Sequence, residues 1–71
     1  MFYQLKYDLI DANGGIVRAG SACIVKRSKQ IVLKQGGSVN RVDIIIHATN
    51  EEVKNVDPTY LIPVMFYNAG E

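Results

Sequence analysis

Among 71 residues there is one Cys, one His, no Trp, two Pro, and no apolar run longer than four residues. A single thiol excludes an internal disulfide framework and any zinc site that needs two thiolates. One Cys and one His, even with Asp43 added, do not assemble a structural metal site, so neither metal nor cofactor is expected. Short apolar runs, Ile44-Ile45-Ile46 and Val64-Met65-Phe66-Tyr67 among them, fall well below the roughly 20 residues that a membrane-spanning helix requires. Strong net charge is missing too. A formal charge of +1 with 48% hydrophobic residues is opposite to the composition that keeps a chain disordered. The N-terminal run Met1-Phe2-Tyr3-Gln4-Leu5-Lys6-Tyr7-Asp8 alternates and carries an acid, unlike a basic-then-apolar signal peptide. A cytoplasmic, reducing location with no membrane partner is the expectation.

The chain reads as one small domain, residues 1–71. A chain of this length buries only about 60% of the surface its unfolded form exposes. Ordering it costs on the order of 1.5 kcal/mol per residue, which leaves the area account near zero. With disulfides excluded and metals not expected, very good packing or association with a partner is left to supply the difference.

What is present is period two. Tyr3, Leu5, Tyr7 and Leu9 alternate with Gln4, Lys6 and Asp8, the signature of a half-buried strand. Strands are predicted at about 2–10, 15–26, 31–34, 39–48 and 60–67. Asn13-Gly14 between the first two predicts a hairpin with a primed turn, since both residues tolerate positive φ. Ser28 is a possible helix cap, but the β-branched Ile31 and Val32 favour a strand there. Along 39–48, Val42, Ile44, Ile46 and Ala48 face one way and Arg41, Asp43, Ile45 and His47 the other, with Arg41 and Asp43 marking the wetter side. Thr49-Asn50-Glu51-Glu52 has capping-box spacing and predicts one or two helical turns to about Val56, stopped by Pro58. Pro63 lacks an amide proton, so the last strand belongs at an edge or carries a bulge.

The expected fold is all-β with one short helical turn, a small five-stranded half-open barrel or sheet. Val56-Asp57-Pro58-Thr59-Tyr60-Leu61 resembles the short helical turn that leads into the final strand of Src-homology type barrels. The resemblance covers six residues and implies topology alone. The paired Trp residues and long acidic loop of that family's peptide groove are missing, so neither its function nor its site residues carry over.

Charge and aromatics are segregated. Residues 18–42 hold Arg18, Lys26, Arg27, Lys29, Lys34 and Arg41 with no acid, whereas residues 43–71 hold five acids and one cation. Such blocks suit an anion or nucleic-acid surface, or charge-complementary contact within the fold or between copies. All six aromatics lie in the first and last predicted strands, away from the basic block. Stacking on single-stranded nucleic acid needs cations and aromatics together, so a cross-strand aromatic seam is the favoured reading.

Candidate chemistry is thin. Cys23, between Ala22 and Ile24, reads as a small core residue rather than a nucleophile, and His47 as a structural imidazole. Gly36-Gly37-Ser38 precedes a strand rather than the helix a phosphate loop requires, so it reads as a turn. Glu51 and Glu52 suit a helix start, and a domain this small hardly provides a cleft across which paired carboxylates would face each other. The leading expectation is a non-enzymatic β binding module acting through protein contacts, either with itself or with a larger protein. Its interface would use the doubly apolar last strand, Leu61, Ile62, Val64, Met65, Phe66 and Tyr67. The alternative is nucleic-acid or anionic-ligand binding through the six cations of residues 18–41.

Overall fold

The structure is a computed structural model that describes residues 2–64, and its longest dimension is 52 Å. Seven strands follow in order: β1 Phe2–Leu5, β2 Leu9–Ile10, β3 Ile16–Val17, β4 Ala22–Val32, β5 Ser38–Ile46, β6 Glu52–Val56 and β7 Leu61–Val64, with a 3-10 turn at Pro58–Tyr60. Five of them form an antiparallel sheet in the order β6-β5-β4-β1-β7, and β2 and β3 make a separate pair. Among the described residues the fold is all-β apart from that one turn, an open sheet without barrel closure. None of the described residues forms a helix long and apolar enough to cross a membrane.

The core is what period two predicts for the inner face. Leu5, Cys23, Val42, Ile44 and Ile46 bury there with Val17, Val53 and Val56, and Tyr3, Leu9, Val25, Tyr60 and Leu61 pack around them. First and last strands are neighbours, Phe2 opposite Val64 and Leu5 opposite Leu61. β7 is an edge strand, one of the two placements that Pro63 allowed, and the helical turn before it lies within the segment 56–61.

Element boundaries differ from the sequence reading for three local reasons. The stretch 2–10 divides at Lys6, whose N–H goes to the Tyr60 carbonyl, and at Asp8, whose carboxylate accepts the Ala19 N–H at 2.7 Å. Leu5 and Leu9 both still turn inward, so alternation persists across the bend and hides it. The predicted strands 15–26 and 31–34 become the short β3, a turn closed by the Ser21 N–H on the Arg18 carbonyl, and one long β4. β4 carries a bulge at Lys26, between the pairs Val25↔Ile44 and Arg27↔Asp43. That extra residue shifts the alternation by one, which is why one strand looks like two in sequence.

The predicted helix after Thr49 is instead a tight turn into β6. The Glu51 N–H reaches Thr49 Oγ1 at 3.3 Å, two residues on rather than three, and Asn50 adopts φ 62°, which no helix continues. Val53 and Val56 are both buried, a helical-looking spacing of three. In the strand it arises because Asn55 bulges between them at φ 61°. The two hairpin loops share one design. Gly14 N–H donates to the Asp11 carbonyl and Asp11 N–H to the Gly15 carbonyl; Gly36, Leu33 and Gly37 repeat the pattern. Only the glycine at the fourth position, Gly14 at φ 82° and Gly36 at 99°, needs the left-handed region in both. Asn13 does not, so the first loop is not the primed two-residue turn its Asn-Gly suggested.

Candidate functional site

The six cations do not share one groove. Lys26 Nζ lies 3.0 Å from Glu52 Oε1, Lys29 Nζ lies 3.0 Å from Asp43 Oδ1, and Arg27 Nε lies 3.7 Å from Asp43 Oδ2. Arg41 is half-buried and donates through Nη1 to the Asn40 carbonyl at 2.8 Å. Arg18 and Lys34 join no ion pair among the described residues. They sit beyond opposite ends of β4, which at about 3.3 Å per residue holds them on the order of 30 Å apart. Half of the basic block thus meets acids of residues 43–71 within the fold.

Asp43 is the residue the sequence reading placed wrongly. It stands on the opposite face of β5 from Val42 and Ile44, as alternation requires, yet its side chain is fully buried. The bulges explain how: Lys26 and Asn55 flank it on the two neighbouring strands, and the Asn55 N–H donates to Asp43 Oδ1 at 3.0 Å. The Lys29 ammonium, this amide and Arg27 hold the carboxyl below the usual carboxylate range, against the opposing effect of burial. Glu52 is held low in the same way by Lys26, and Asp57 by the amide and hydroxyl of Thr59. A lone acid between Val42 and Ile44, opposite a strand rich in cations, was the available signal. Using it required the strand register, which a bulge displaces.

The remaining candidates occupy quiet settings. Cys23 is fully buried, and burial pushes its thiol pKa up. His47 is exposed in the turn after β5, edge-on to Phe2 with centroids 5.4 Å apart. Gly36 and Gly37 belong to the β4–β5 loop, with β5 following directly. Among the described residues, which exclude Phe66 and Tyr67, the aromatic seam is partial. Tyr3 and Tyr60 pack on the core, whereas Tyr7 meets Tyr60 edge-on at 5.0 Å and remains 55% exposed.

Of the proposed interface residues, Met65, Phe66 and Tyr67 lie outside the described residues. Leu61 turns inward onto the core, while Ile62 and Val64 belong to the outer face. Register extends that face across the sheet. Val64 pairs with Phe2, Phe2 falls opposite Ile24 by continuation of Tyr3↔Cys23, and Ile24 pairs with Ile45. Ile62, 41% exposed, and Ile24, 40% exposed, keep this row open to solvent. The chain matches no family model, no curated protein and no solved structure.

Proposed function

We propose that this protein is a small, non-enzymatic β binding module of the cytoplasm that acts through protein contacts, as a homo-oligomer or docked on a larger partner. The outer-face row carries the reading: Val64, Phe2, Ile24 and Ile45 with Ile62 beside them, running inward from the last strand. Contiguous apolar side chains on one face, open to solvent at Ile24 and Ile62 and rimmed by the Lys26–Glu52 pair and Lys29, have the anatomy of an apolar interface centre with a polar rim. The basic segment supports a nucleic-acid reading less well, because Lys26, Arg27 and Lys29 face carboxylates and Arg18 stands far from Lys34.

Light scattering across a concentration series, run beside a pull-down with the tagged chain, tests this. An oligomer mass, or a bound protein, that disappears in the Ile24→Lys/Ile62→Lys double variant with unchanged circular dichroism is the expected outcome. A strict monomer at high concentration that also recovers no partner overturns the reading.

A further inference from the structure

We propose a second surface, separate from the outer-face row: the open edge of β4 beyond the end of β1 receives an extended acidic segment of a partner protein as an added strand. β1 pairs with β4 only at Ala22 and Cys23, whereas β5 stays paired with it through Val32. Leu33 N–H donates to the Gly37 carbonyl at 3.0 Å, which sets the phase of the ladder. By antiparallel alternation, Lys29 and Ile31 then turn their backbone groups toward β5, and Ser28, Gln30 and Val32 turn theirs toward the open margin. No described residue takes those three pairs of N–H and C=O groups.

Other margins of the sheet are less available. On β7 the outward positions are Leu61, whose N–H goes to the Pro58 carbonyl, and Pro63, which has none. β6 is short and bulged. On the β5 side of the ribbon, the Asn40 carbonyl already accepts from Arg41. Among the described residues, the β4 edge combines a run of free donors and acceptors with space for side chains. A groove of about 500 Å³ lies against it, lined by Ser28, Gln30, Asn40, Val42 and Pro58 together with the cations Lys29 and Arg41. It is bordered by a space of about 380 Å³ against Val25, Leu61 and Pro63. Main-chain pairing with pockets for alternate side chains is the geometry of strand addition.

Charge selects the occupant. Residues 26–41 hold Lys26, Arg27, Lys29, Lys34 and Arg41 and no acid. Asp43 and Glu52 neutralise only part of that, and Arg27 remains 55% exposed beside the edge. An incoming strand would set its outer-face side chains beside Arg27 and Lys29, where carboxylates are favoured, and its inner-face side chains over the groove, where small apolar ones fit.

The test titrates the full chain, followed by amide NMR, with four capped heptapeptides: alternating Glu and Val, the same with Lys for Glu, and two versions of the Glu peptide, each N-methylated at alternate residues along one of its two edges. The Glu peptide should bind and protect the amides of Ser28, Gln30 and Val32, and the Lys peptide should bind at least tenfold more weakly. Methylation of one edge and not the other should abolish binding. Gln30→Pro removes an outward N–H without breaking a backbone β4–β5 hydrogen bond, giving up only the Gln30 Nε2 to Ser38 Oγ contact, and should lose at least tenfold in affinity; Gln30→Ala, which loses that contact but keeps the N–H, should not. Lys34→Glu, at the exposed loop, should lose a smaller factor with the fold untouched. Binding that ignores both methylation and Gln30→Pro overturns the proposal. So does the absence of binding by the Glu peptide, or protection of these amides that grows with protein concentration alone, which would assign the edge to a second copy. Each of these outcomes leaves the outer-face reading intact, because that one is measured on Ile24 and Ile62.

Discussion

The two halves of β4 have different surroundings. At Ala22 and Cys23 the strand lies between β1 and β5, and Cys23 is sealed into the core. From Ser28 to Val32 it has β5 alone, and its side chains end in Val32, 80% exposed. Between the halves lie the bulge at Lys26 and the buried carboxylate of Asp43. The difference teaches what holds a sheet this small: where apolar side chains stop facing the core, the sheet narrows to a ribbon. The change is marked by a charged cluster that anchors ribbon to body.

Truncation in the body should have the largest effect. Ile44 is fully buried, and Ile44→Ala is expected to cost about 3–5 kcal/mol. For a domain of this length that is a third or more of a stability of roughly 0.05–0.15 kcal/mol per residue, so urea melts should show its midpoint far below that of the wild type. Val32→Ala on the ribbon should shift the midpoint by less than about 0.5 kcal/mol. Equal effects would erase the distinction between the halves.

At the junction, Asp43→Asn removes the charge that Lys29 and Arg27 face, and should lower Tm by on the order of 10 °C. The pH dependence has a definite sign. Asp43 is held below its unfolded value of about 3.9. Its contribution is therefore fully present above that value and is lost as pH falls through the lower folded one. Glu52 and Asp57 act in the same direction. Thermal melts between about pH 5 and 2 should show the wild type losing stability more steeply than Asp43→Asn. Parallel curves would mean the cluster contributes nothing.

This contrast also marks how far the sequence could be read. The all-β class, the inward set Val42, Ile44 and Ile46, the burial of Cys23 and the edge position of Pro63 follow from alternation and from one missing amide, both local properties. What was misread turns on bulges and bends. Lys26 made β4 look like two strands, Asn55 gave Val53 and Val56 a helical spacing, and Asp8 let 2–10 pass for one strand. Because a bulge depends on the partner strand, the ion pairs at Asp43 and the open edge at Gln30 were not legible before the register was known.

The paired loops allow a smaller comparison. Gly36→Ala meets no atom within 4 Å and so tests φ 99° alone; it should cost about 1–2 kcal/mol. Gly14→Ala, also in open space at φ 82°, should cost a similar amount. If the ribbon is anchored at Asp43, the Gly36 variant should fray amides of Ile31 and Val39 in hydrogen exchange while those of Cys23 and Ile46 keep their protection. Uniform loss across the sheet would instead make ribbon and body one cooperative unit.

The least perturbing substitution, Pro63→Ala, sharpens the contrast between the closed β7 edge and the open β4 edge. Pro63 pairs with Tyr3, and the phase set by Leu61 points its missing N–H outward. Alanine there breaks no bond to β1 and should leave Tm within about 2–3 °C, but it restores one donor on the outer margin of a strand that also exposes the large apolar side chain of Ile62. Sedimentation should then show additional concentration-dependent association in Pro63→Ala that the wild type lacks. Ile62→Lys should suppress it, since a charge on an edge strand opposes pairing with another chain. If association is unchanged, Pro63 is not what closes that margin, and the Leu61 N–H to Pro58 bond has to account for it alone.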